Sequence, residues 1–108
     1  DDNALEFNKR GGVGAISVTA NIAPKLCSEF QALSVLHDDK SKQEAKNFDN
    51  ILQPLHSAMF VESNPSPVKY AAKQLSLCDD AVRLPLVKVT ERAKEVINKA
   101  LQSTKLVK

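Results

Sequence analysis

Apolar positions recur every three or four residues over most of this chain, the period of a helix with one buried face, and alternate over one short stretch only. Ala4, Leu5 and Phe7 predict a short helix over Asn3 to Arg10, stopped where Gly11-Gly12 supplies flexible or left-handed backbone. Ala15 to Thr19 is rich in β-branched residues and ends at the turn-prone Ala20-Asn21, so it predicts one buried strand. From Pro24, a residue suited to a first helical turn, Leu26, Phe30, Leu33 and His37 mark a helical face that ends before Asp38-Asp39. Ala45, Phe48, Leu52, Leu55 and Met59 form the next stripe, in a helix that Pro54 should kink. Ser63 to Pro67 predicts a rigid turn, because each residue before a proline is pushed out of the helical region. Val68, Ala71, Ala72 and Leu75 form the face of a helix begun by Pro67 and closed by Asp79-Asp80. Arg83 to Val89 reads as an extended connector to an N-cap at Thr90, and Ala93, Val96, Ile97, Ala100 and Leu101 form the last face.

A single strand among five helices is the feature that constrains the fold. Its backbone groups need partners on both sides, and each buried hydrogen bond left unmade costs about 1–3 kcal/mol. The expected fold is therefore α/β, the strand reading as the closing unit of a parallel sheet or barrel with the remaining helices packed outside, the chain itself being mostly α. A whole eight-fold barrel takes about 200 residues or more, so as part of a barrel these 108 residues would be a fragment.

Composition narrows the partners. Fifteen Lys and Arg against thirteen Asp and Glu leave a net charge of +2 without a basic block, which argues against nucleic acid. No apolar run approaches the roughly 20 residues of a membrane span, and the acidic beginning does not read as a signal peptide. The expectation is a cytoplasmic protein whose Cys27 and Cys78 are ordinary reduced thiols in no metal or redox pattern.

Candidate chemistry is thin. Gly11-Gly12-Val13-Gly14 precedes the predicted strand, whereas a dinucleotide fingerprint follows one. His37 on an apolar face and His56 beside Leu55 have no acid at ligand spacing and are expected to be structural. Lys88, in an apolar stretch, has the context that activates a Schiff-base amine, but no partner acid or tyrosine is evident and it is expected at the surface. Asp1-Asp2, Asp38-Asp39 and Asp79-Asp80 stand where helices begin or end, so capping explains them. No catalytic constellation and no metal set is read from this chain.

Gly11 to Asn21, then Pro54-Leu55-His56 through Phe60 to Lys69 with its Asn64-Pro65-Ser66-Pro67, then Arg83-Leu84-Pro85-Leu86, resemble in order and spacing the C-terminal end of the dihydrodipicolinate synthase family. The resemblance implies a (β/α)8 barrel with a C-terminal helical appendix, residues 1–23 being the end of the barrel including its last strand and residues 24–108 the C-terminal helical region, usually a homotetramer, in a lyase that condenses pyruvate with L-aspartate 4-semialdehyde on the way to diaminopimelate and lysine. It further implies that pyruvate is held as an imine on a lysine upstream of this chain, without other cofactors, and that the proton-relaying tyrosine lies upstream too. Tyr70 does not match that tyrosine. The one residue that carries over is Ile16, whose backbone would face bound pyruvate; Lys88 stands where relatives often have proline. The chain alone is expected to be inactive. A non-enzymatic helical interaction module and the end piece of another pyruvate aldolase, such as N-acetylneuraminate lyase, remain the alternatives.

Overall fold

The protein, a computed structural model describing residues 1–107, is built from helices. They are α1 (Ala4–Lys9), α2 (Pro24–Ser34), α3 (Asp39–Met59), α4 (Ser66–Gln74) and α5 (Glu91–Ser103), with a 3-10 turn at Thr19–Asn21. α3 is the spine, packing chiefly on α2 and α5, while α4 packs on α5.

The predicted stripes are the buried ones. Leu52, Leu55 and Met59 of α3 meet Ala93, Ile97 and Leu101 of α5 and Val68 and Ala71 of α4 in one core, and Ala45 of α3 is buried as well. Each large aliphatic side chain there contributes about 1.5–3 kcal/mol by leaving water. Val96, expected on the buried face of α5, lies on its more exposed side.

α3 runs unbroken through Pro54. Proline deprives the Asn50 carbonyl of its helical donor, but both residues are exposed, so water can take that place. Asp38 caps α3 as expected, its carboxylate accepting from the Ser41 N–H at 2.9 Å, and the Thr90 hydroxyl accepts from the Ala93 N–H at 3.2 Å to cap α5.

Three helices end in one hydrogen-bond pattern. After α1 the N–H groups of Gly11 and Gly12 reach Asn8 and Phe7. After α4 those of Ser76 and Leu77 reach Lys73 and Ala72, and after α5 those of Lys105 and Leu106 reach Gln102 and Leu101. This is the Schellman closure, which needs a left-handed residue past the helix end; Gly11, Ser76 and Lys105 supply it with φ of 103°, 60° and 58°. Asp79-Asp80 does not close α4, which ends at Gln74.

The predicted strand at Ala15 to Thr19 is not formed, and no strand occurs among the described residues. Val13 to Ile16 is irregular, and its backbone enters none of the hydrogen bonds among the described residues. A strand exists as a ladder with neighbours, and none is present here to pair with it. Val13 and Ile16 are 91% and 106% exposed, so this β-branched segment is solvated on its faces as well as its edges. The Cα radius of gyration of 14.5 Å exceeds the roughly 13 Å expected for a compact domain of this length, in keeping with incomplete burial.

Candidate functional site

The exposed segment at Ile16 runs into a turn held from three directions. One Asp1 carboxylate oxygen, Oδ2, accepts from the backbone N–H groups of Val18 (2.9 Å) and Thr19 (3.1 Å). Ser17 Oγ accepts from the Ala20 N–H at 3.0 Å. Thr19, fully buried, shares a 2.7 Å hydrogen bond between its hydroxyl and His56 Nδ1 on α3. Val13 to Ile16 thus lacks hydrogen-bonded restraint of its own, while Val18 and Thr19 are pinned to the start of the chain and to its central helix.

Beneath Ala15 and Ser17 lies a mostly apolar pocket of about 210 Å³, bounded by Cys27, Phe30 and His56. Burial pushes the His56 imidazolium below its usual range, against the opposing pull of Asp49 and Asp2, which favours a neutral ring. Burial likewise pushes the Cys27 thiol up, against a Ser17 hydrogen bond, so Cys27 is a poor nucleophile. Cys78 is exposed, and both cysteines are free.

The remaining candidates are dispersed. His37 is exposed in the connector between α2 and α3, not on the apolar face expected of it. Lys88 is at the surface as expected, but it has an acid partner that local sequence does not reveal: Asp80, buried, lies 2.9 Å from Lys73 and 3.3 Å from Lys88. Those hydrogen bonds, Lys73 foremost, hold the Asp80 carboxyl down at about 2. Tyr70, on α4, is buried and hydrogen-bonded to the Asn98 side-chain amide on α5. Gly11 to Gly14 opens no helix; Gly12 lies against the Phe7 ring, where an added Cβ would come within 2.3 Å of a ring carbon. No group of three metal-binding side chains occurs among the described residues.

The proline-rich stretches lock the connector in place. Glu62 accepts from both the N–H and the hydroxyl of Thr90, at 3.0 and 2.8 Å, and Ser66 Oγ donates to the Val87 carbonyl at 2.7 Å. These contacts tie the turn before α4 to the segment before α5.

The sequence profile of the dihydrodipicolinate synthetase family matches residues 1–104. The chain belongs to that family. It is 68% identical over 107 residues to the 4-hydroxy-tetrahydrodipicolinate synthase of Pelagibacter ubique, covering 99% of this chain and 36% of that enzyme. With the enzyme of the same name from Jannaschia sp. it shares 51% identity over 107 residues, again 36% of the relative's length. Among solved structures, the chloride-inhibited dihydrodipicolinate synthase of Acinetobacter baumannii, complexed with pyruvate, superposes with a TM-score of 0.89 at 40% identity. That match covers 98% of this chain and 35% of the other. The chain therefore spans about 36% of the length of the curated synthases it matches. No helix among the described residues is long and apolar enough to cross a membrane.

Proposed function

We propose that this chain is the closing part of a dihydrodipicolinate synthase: the last strand region of a (β/α)8 barrel over residues 1–23, and the helical region that follows over residues 24–108. The whole enzyme would be a pyruvate-dependent class I aldolase of the cytoplasm, a homotetramer condensing pyruvate with L-aspartate 4-semialdehyde for diaminopimelate and lysine. The observation that carries this reading is 68% identity to a synthase along nearly the whole of the chain. A physical observation supports it independently, because Val13 to Ile16 is a β-branched segment with unpaired backbone and exposed side chains, which is what a barrel strand becomes without its neighbours.

The Schiff-base lysine and the proton-relaying tyrosine would come from the part of the enzyme that precedes this chain, and no other cofactor is called for. The role of this chain at the site is then to supply a wall. Ile16 would present main chain to pyruvate, so the identity of its side chain is secondary to the position of its backbone. The test is borohydride reduction in the presence of pyruvate, read by intact mass. The expected result is no adduct on this chain and one adduct per subunit on the full-length protein that carries it. Stoichiometric labelling of Lys88, or of any other lysine in this chain, would refute the assignment.

A further inference from the structure

A buried polar pair links the turn after Ile16 to a helix 37 residues away in sequence. Thr19 is wholly buried and His56 is 4% exposed, so the hydroxyl has little access to water, while the imidazole also borders the pocket beneath Ala15 and Ser17. Leaving one of them without its partner costs about 1–3 kcal/mol, enough for the pair to hold its geometry against thermal displacement. His56 rides on the most deeply buried part of α3, between Leu55 and the fully buried Ala58 and Met59. Thr19 stands three residues after Ile16, at most about 10 Å along an extended chain. The backbone of Val13 to Ile16 has no hydrogen bonds among the described residues, so its restraint within this chain comes from the hydrogen-bonded residues on either side, Gly12 before it and Val18 and Thr19 after it.

We propose that His56 is a positioning residue for pyruvate: through Thr19 it anchors the turn that places the Ile16 backbone, and the helical region thereby tunes the substrate pocket without touching substrate. This inference rests on the assignment of the Ile16 backbone to the pyruvate site. In this reading His56 acts through its Nδ1 hydrogen bond to Thr19 and not by proton transfer.

The experiment uses steady-state kinetics of the full-length enzyme. Thr19→Val keeps the shape of the side chain and removes the hydroxyl; His56→Ala removes the ring; His56→Asn returns an amide close to where Nδ1 stood. Thr19→Val and His56→Ala are expected to raise the pyruvate KM about tenfold, equivalent to about 1.4 kcal/mol and within the cost of leaving a buried polar group without its partner. Turnover at saturating pyruvate should stay within about twofold, the aldehyde KM should be unchanged, and His56→Asn should restore most of the loss. Ile97→Val, a core change remote from the turn, should leave the pyruvate KM alone even if it lowers the melting temperature, which separates positioning from general destabilisation. If His56→Ala does not fold, Thr19→Val alone decides. An unchanged pyruvate KM in Thr19→Val overturns the inference, as does a hundredfold fall in turnover in a folded His56→Ala enzyme. Ile16→Pro separates the two levels of failure: a raised KM there with none in Thr19→Val sinks only the role of His56, whereas no change in Ile16→Pro sinks the pyruvate-wall assignment and the inference with it.

Discussion

Replacing Ser76 by glycine isolates the cost of closing a helix with the wrong residue. Ser76 holds φ of 60° so that its own N–H and that of Leu77 can reach back to Lys73 and Ala72, both at 2.9 Å. An L-residue in this region is disfavoured by about 1–2 kcal/mol because its Cβ crowds the following carbonyl. Glycine escapes that penalty but brings about 0.5–1 kcal/mol of extra freedom to the unfolded chain. The expected net effect of Ser76→Gly is stabilisation by about 0.5–1 kcal/mol, a rise in melting temperature of about 2–8 °C. Urea unfolding should show a higher midpoint with an unchanged slope. Two companions check the reasoning. Gln74→Gly, two residues earlier at the last residue of α4, should lose up to about 1 kcal/mol because glycine has poor helix propensity. Gly11→Ala should also destabilise, and there backbone strain alone is measured, since a Cβ at Gly11 would meet nothing within 4 Å. If Ser76→Gly were as destabilising as Gln74→Gly, the left-handed closure of α4 would be wrong.

Other outcomes follow from the same coordinates. The Asp80 carboxyl, held at about 2 chiefly by Lys73, is ionised in both folded and unfolded chains above the usual 3.8, so its stabilisation is complete there and is lost as pH falls from about 4 to about 2. Asp80→Asn should flatten that acid limb in pH-dependent unfolding, though only in part, because Asp38 and Glu62 are also held below their usual range by hydrogen bonds to Ser41 and Thr90; an unaltered limb would contradict the ion pair. With a chromogenic disulfide under native conditions, Cys78 should react at once and buried Cys27 about a hundredfold more slowly, the two converging in urea. Equal native rates would mean that α2 is not packed as described. In hydrogen exchange of this chain, amides of the middle of α3 and α5 should be slow and those of Val13 to Ile16 fast, the latter becoming protected in the full-length enzyme. Protection of Ile16 in the isolated chain would show that the segment has found a partner within it.

Local pattern determined the helices. Leu52, Leu55 and Met59 on one side and Ala93, Ile97 and Leu101 on the other are buried because a helix with an apolar stripe has to cover it, and the periodicity is written in consecutive residues. The caps at Asp38 and Thr90 were legible for the same reason, since a capping side chain bonds to a backbone N–H three residues away. The family, too, could be recognised from ordered motifs along the chain. What tertiary structure decided lies in contacts with no local spacing rule. Thr19 finds His56, Asp80 finds Lys73 and Lys88, and Glu62 finds Thr90 only because the packing of α2, α4 and α5 on or around the α3 spine brings them together. The left-handed closures at Ser76 and Lys105 were hidden because neither residue is the glycine that signals one. Ala15 to Thr19 shows the boundary between the two kinds of information most plainly. Its β-branched composition states a preference for a strand, but a strand is a relation between chains of backbone, and without a neighbour to supply donors and acceptors the preference is not realised.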